Sequence, residues 1–117
     1  MDKNIYFICD EVQTGGGISG KWWCHEHWNL ETPPDIVTFA KKMSAAGFYY
    51  REELNNNWGP VVFNTWVGDP SRLVILEAIL NTVNDEDLCK NAENVGNYLK
   101  RGLKVSISLL VYVSDYY

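Results

Sequence analysis

DIVTFAKKMSAAG, residues 35–47, is the stretch around which the chain is organised. Pro33, Pro34 and Asp35 make a turn, and Ile36, Val37 and Phe39 follow as a short apolar run. The run is partly β-branched and bounded by turn residues, which predicts a strand, buried and parallel to a neighbour. It delivers Lys41 at or just past its C-terminal end, ahead of the small residues Ser44, Ala45, Ala46 and Gly47. Small residues let a flat group lie close to the backbone. A lysine among apolar neighbours gives up its proton more readily, and the neutral amine is the form that condenses with a carbonyl. An ordinary surface lysine at a strand end is the alternative, since most lysines are exposed.

Working outward, Ile5 to Cys9 is a continuous apolar run that meets Asp10, Glu11, Val12 and Gln13. An apolar strand ending in a carboxylate suits a site at the C-terminal end of a parallel sheet. Asp10 is then expected to be partly desolvated and in need of a cation or a hydrogen-bond donor. A turn or N-cap aspartate is the other reading. In GGGISGK, residues 15–21, Gly15, Gly20 and Lys21 fit the phosphate-loop spacing G-x-x-x-x-G-K. The next residue should be Ser or Thr to hold magnesium, and it is Trp22. A glycine-rich turn packed by the aromatics that follow is therefore expected, with a nucleotide loop as the remote alternative. Cys24, His25 and His27 raise a metal reading, but the two histidines are only two positions apart and no second ligand pair accompanies them. No metal ligand is assigned.

Downstream, Asn55 to Pro60 form a loop signal, and Val61–Phe63 is another strand candidate. Thr65 and Gly68 lie in a loop able to hold an anion, through a hydroxyl and free backbone N–H groups. Asp69 and Pro70 predict a helix start, as N-cap and first position. Leu73, Leu76, Ile79, Leu80 and Val83 recur at helical spacing. A second helix is expected from Asn84 or Asp85, with Leu88, Ala92, Val95, Leu99 and Leu103 along one face.

Composition narrows the function classes. A chain of 117 residues is normally one domain, and 46% hydrophobic content argues against disorder. The formal charge of -5 argues against a nucleic-acid surface. No apolar run reaches the ~20 residues that span a bilayer, so no membrane partner is expected. Neither a secretory signal nor a transit peptide is evident at the start. Three widely spaced cysteines, Cys9, Cys24 and Cys89, make no disulfide framework and fit a reducing compartment.

The strings DEVQTGGGISGKWWCHEHW (residues 10–28), PDIVTFAKKMSAAGFYYREEL (residues 34–54) and FNTWVGDPSR (residues 63–72) resemble the class III pyridoxal-phosphate aminotransferases. The likeness is to their eukaryotic, mitochondrial branch acting on 4-aminobutyrate, and it runs from about Tyr6 to Leu103. It implies an α/β fold, part of the large domain of a fold-type I transferase, with a mostly parallel sheet and flanking helices. Residues 1–103 would be that partial large domain, and the tail KVSISLLVYVSDYY, residues 104–117, does not share the likeness.

The resemblance assigns roles residue by residue. Lys41 matches the lysine that carries pyridoxal 5′-phosphate; Lys42 is adjacent, but the family spacing counted from Asp35 ends on Lys41. Asp10 matches the carboxylate on the pyridine nitrogen, which keeps the ring an electron sink. Val12 and Gln13 match positions beside the ring, Gln13 near the phenolic oxygen. Thr65 matches the threonine that binds the cofactor phosphate of the neighbouring subunit, so a homodimer is implied. The implied reaction takes 4-aminobutyrate to succinate semialdehyde and 2-oxoglutarate to glutamate, with Lys41 as general base and acid. The implied location is the mitochondrial matrix. The family's phosphate-cradling segment, ring-stacking aromatic, substrate-binding arginines, iron–sulfur cysteine pair and small domain have no counterpart in this chain. It is therefore expected to lack transaminase activity alone, which leaves a non-catalytic interaction fragment as the alternative.

Overall fold

The computed structural model describes residues 5–55, 65 and 67–114, with side chains described to residue 107. The strand expected at Val61–Phe63 lies outside the described residues. Among the described residues three strands, β1 (Ile8–Asp10), β2 (Ile36–Phe39) and β3 (Gly47–Tyr50), form one sheet in that order. Two helices follow, α1 (Pro70–Asp85) and α2 (Leu88–Ser114).

The expected strand at residues 36–39 is the centre of the sheet, and its Val37 is fully buried. It pairs in parallel with β1, Cys9 opposite Val37 and Asp10 opposite Thr38. On its other edge it pairs antiparallel with β3, Ile36 opposite Tyr50 and Phe39 opposite Gly47. The described sheet is thus mixed rather than mostly parallel. Phe48, Tyr49 and Tyr50 are strong strand formers, and the short turn at Lys41–Met43 folds them back on β2 as a hairpin. β1 is shorter than the apolar run that predicts it. At its head, Phe7 N–H donates to Asp35 Oδ2 at 2.7 Å, and Asp35 N–H donates to Phe7 O at 2.9 Å. Asp35 is only 9% exposed. Arg51 donates to its other oxygen at 2.6 Å, so the buried charge has a partner.

The glycine-rich segment is a turn, and close packing explains its glycines. A Cβ on Gly15 would stand 2.7 Å from the Trp23 ring and 2.9 Å from the Glu11 carbonyl. Gly20 has φ +91°, and a Cβ there would stand 3.0 Å from Cβ of Glu93 on α2. Lys21 Nζ donates to the Glu26 carbonyl at 2.9 Å, within its own turn. Trp23 packs edge-on to Tyr49, with centroids 5.3 Å apart.

The carboxylate of Glu11 lies at the centre of this segment and is 1% exposed. One oxygen accepts from the N–H of His25 at 2.7 Å and from His25 Nδ1 at 2.9 Å when that nitrogen is protonated. The other accepts from the N–H of Cys24 at 3.0 Å and from the Thr14 hydroxyl. Burial pushes the Glu11 pKa up. The bonds from Thr14, His25 and Cys24 outweigh it and hold the pKa below the ordinary 4.5.

The helices start and stop for local reasons. Asp69 accepts from Ser71 N–H at 3.0 Å as the N-cap, with Pro70 in the first turn, as the sequence implies. α1 runs through Asp85, and α2 begins at Leu88 rather than at Asn84 or Asp85. Asp87 sits in the left-handed region at φ +49°, which interrupts the helical path. Leu76, Ile79, Leu80 and Val83 are half-buried, whereas Leu73, Val95, Leu99 and Leu103 are exposed. The expected burial of whole apolar faces is therefore only partial. The Cα radius of gyration is 19.5 Å, against about 13 Å for a compact chain of this length.

Two outcomes are expected. Gly15→Ala drives a methyl into the Trp23 ring and should lower stability by about 1–3 kcal/mol in denaturant titration. Because Glu11 ionises more readily folded than unfolded, its contribution is complete above about pH 4.5 and fades as pH falls through the folded value. Tryptophan fluorescence in acid titrations should show Glu11→Gln losing less stability than the unaltered chain over that range.

Candidate functional site

The parallel pairing of β1 and β2 brings their C-terminal ends together, and four expected residues sit there. Asp10 ends β1. Its Oδ1 accepts from Val12 N–H and from the Thr38 hydroxyl, both at 3.0 Å. Among the described residues Oδ2 takes no donor, so one carboxylate oxygen is open. Lys41 begins the turn after β2 with φ +54°. A left-handed conformation costs a non-glycine residue roughly 1–2 kcal/mol, and such strain clusters at functional positions. Lys41 Nζ donates to Gln13 Oε1 at 2.6 Å, and Lys42 Nζ donates to the Gln13 carbonyl. The two amines thus converge on one residue from opposite ends of its peptide and side chain.

Val12 is half-buried and lines a cavity of about 700 Å³ with Thr38, Ala40, Ala45, Gly68 and Arg72. Thr65 is exposed in the turn ahead of α1. Among the described residues it makes no hydrogen bond to Asp10, Gln13 or Lys41. Asp10, Gln13 and Lys41 are all exposed as well. The expected partial desolvation of Asp10 and apolar setting of Lys41 are thus not found in this chain. The walls that would remove water from them are not supplied by the described residues.

The metal-like residues group differently from their order in the sequence. His27 Nε2 lies 3.0 Å from the Ser19 carbonyl, while His25 turns inward to Glu11. Cys9, Glu11 and His25 bring one ligand atom each within 4.8 Å of one another. Burial, followed by the charge of Glu11, pushes the Cys9 thiol pKa up, so the thiol stays protonated. It faces a Glu11 oxygen at 3.8 Å, and that carboxylate already accepts backbone, hydroxyl and imidazole donors. The cluster is built as a hydrogen-bonded core. Sequence spacing could not have found it, because Cys9 and His25 meet only through the fold and nothing in the sequence marks Glu11 as buried.

A pyridoxal-type cofactor fits what is present. An open carboxylate oxygen suits a pyridinium N–H, an exposed primary amine suits an aldehyde, and Gln13 lies between them in the chain.

The family model for aminotransferase class III matches residues 1–110. The chain is 50% identical over 97 residues to mitochondrial 4-aminobutyrate aminotransferase from Homo sapiens, covering 83% of this chain and 19% of that protein. It is 52% identical over 99 residues to 4-aminobutyrate aminotransferase from Dictyostelium discoideum, covering 85% and 20%. Among solved structures, a lysine aminotransferase from M. tuberculosis superposes with a TM-score of 0.77 at 30% identity, over 88% of this chain and 25% of that one. The chain spans about one fifth of the length of these curated relatives. With the family model covering nearly the whole chain and about half the aligned residues identical to these relatives, this chain belongs to the class III aminotransferases.

Proposed function

We propose that this chain carries part of the cofactor surface of a transaminase that uses pyridoxal 5′-phosphate, takes 4-aminobutyrate to succinate semialdehyde and returns the amino group to 2-oxoglutarate. The observation that carries the reading is the junction of Lys41 Nζ with Gln13 at 2.6 Å, beside the strand end that presents Asp10. The bound cofactor would supply the electron sink for the carbanion. Asp10 would hold the pyridinium proton through its open oxygen, while Thr38 and Val12 N–H fix the carboxylate. Gln13 would exchange its bond to Lys41 for one to the phenolic oxygen. Lys41, released from Gln13, would move a proton on and off the substrate carbon. Val12 would press on the ring face.

Thr65 would serve the phosphate of a neighbouring subunit, which makes the working assembly a homodimer. The whole protein would be a fold-type I transferase of the mitochondrial matrix; the human relative's name supports the organelle. Residues 1–103 would belong to its large domain, with 104–117 as a divergent tail, although the family model extends to residue 110. No helix among the described residues is long and apolar enough to cross a membrane.

A second reading concerns the chain by itself. Asp10, Gln13 and Lys41 are open to water, and low-dielectric enclosure is a large part of what such groups need for catalysis. The 117-residue chain alone is therefore proposed to be inactive in turnover while keeping a selective lysine.

Incubation with pyridoxal 5′-phosphate, borohydride reduction and peptide mapping tests both statements. Most label is expected on Lys41, ahead of Lys42, with no glutamate formed from 4-aminobutyrate and 2-oxoglutarate. Asp10→Ala should weaken labelling of Lys41 by about tenfold, the loss of one hydrogen bond to a charged group. Label scattered evenly over the lysines would sink the cofactor reading, and measurable glutamate formation would sink the inactive one.

A further inference from the structure

We propose that Glu11 is a positioning residue for the candidate site: its buried carboxylate holds Asp10 and Gln13 in place without touching cofactor or substrate. The inference rests on the cofactor reading above and adds the device that shapes the exposed surface. Adjacent residues of an extended chain point to opposite faces. Asp10 is exposed and Glu11 is 1% exposed, so the anchor and the working group sit back to back. Glu11 is tied at every polar point. Its N–H donates to the Thr38 carbonyl at 3.1 Å, extending the pairing of β1 with β2. Its carbonyl accepts from Gly15 N–H at 2.8 Å. Its carboxylate accepts from Thr14, Cys24 and His25.

Gln13 lies inside the loop that these bonds close. The Thr14 hydroxyl and the Gly15 N–H both return to Glu11, so residues 12–14 have one path available. That path aims the Gln13 side chain at Lys41. The amine and the amide are both exposed, and the loop that carries Gln13 is anchored from beneath by Glu11. A carboxylate suits the task because every group facing it donates. A carboxamide would turn an N–H₂ group toward the Cys24 or His25 N–H and break the set.

The experiment compares the unaltered chain with Glu11→Gln, Thr14→Val, Thr14→Ser and Arg51→Ala. Each is checked for helix content by circular dichroism, for amide exchange of residues 10–15 without cofactor, and for the share of borohydride-fixed pyridoxal phosphate on Lys41. Arg51→Ala is the stability control, because it removes the Asp35 partner at the far end of the strands. Glu11→Gln should speed exchange across residues 12–15 and cut the Lys41 share by about fivefold or more. Thr14→Val should do the same to a smaller extent, Thr14→Ser should match the unaltered chain, and Arg51→Ala should keep its Lys41 share.

Selective labelling in the unaltered chain with an unchanged share in Glu11→Gln and Thr14→Val overturns the role of Glu11 and leaves the cofactor reading standing. An equal loss in Arg51→Ala also overturns it, since the effect is then general stability. Scattered label in the unaltered chain overturns the cofactor reading and the positioning role with it. If Glu11→Gln does not fold, the contrast between Thr14→Val and Thr14→Ser decides.

Discussion

The parallel pairing of Ile8–Asp10 with Ile36–Phe39 is the constraint on which the rest depends. Parallel strands end on the same side of a sheet. Whatever follows Asp10 and whatever follows Phe39 must therefore meet in space, although Lys41 lies 31 positions beyond Asp10. The Thr38 hydroxyl on Asp10 and the Lys41 amine on Gln13 are two bonds across that one junction. An antiparallel pairing would have sent the carboxylate and the amine to opposite edges. The turn after Phe39 adds a second demand: Ala40 is fully extended and Lys41 is left-handed, so the chain reverses abruptly at the lysine. The sharp reversal keeps Lys41 beside the loop that follows β1 rather than carrying it onward with the hairpin.

Beneath the junction, electrostatics and packing work together. A buried carboxylate is costly unless its oxygens are satisfied. Glu11 meets that condition with donors drawn from Thr14, Cys24 and His25, which span two turns of the chain. The same charge bears on its neighbours. It helps to keep the Cys9 thiol protonated, and after burial it is the main reason that the Tyr49 phenol is pushed up to about 12. The glycine-rich segment closes over this core with Trp23 against Gly15. A run that resembles a phosphate loop is thus accounted for by close approach of an aromatic ring and of helix α2.

The outer parts of the chain present much apolar surface. Ile5, Tyr98, Val105 and Ile107 are each at least 60% exposed, and among the described residues the buried apolar side chains are those of Cys9, Val37 and Met43. This fits a chain spanning about one fifth of the length of its relatives. Apolar side chains on a strand edge and on helix faces that meet water are an aggregation hazard. The same openness explains why Asp10, Gln13 and Lys41 are exposed: they sit where two parallel strands end, and no wall among the described residues covers that junction.

Much of this was legible in the residues themselves. The β-branched run after Pro33-Pro34-Asp35 specified the central strand, Asp69-Pro70 specified the start of α1, and the missing hydroxyl after Lys21 argued against a nucleotide loop. The motif strings were by themselves enough to indicate the family. These are local signals, carried by neighbours in the chain, and local chemistry decides them. What the sequence could not decide was which distant groups would meet. The antiparallel β3, the inward turn of His25 onto Glu11, the convergence of two lysines on Gln13 and the exposure of Asp10 all depend on contacts between segments far apart in the chain. Only the tertiary structure brings such segments together, because burial and hydrogen-bond satisfaction belong to the assembled surface and not to any one stretch of it.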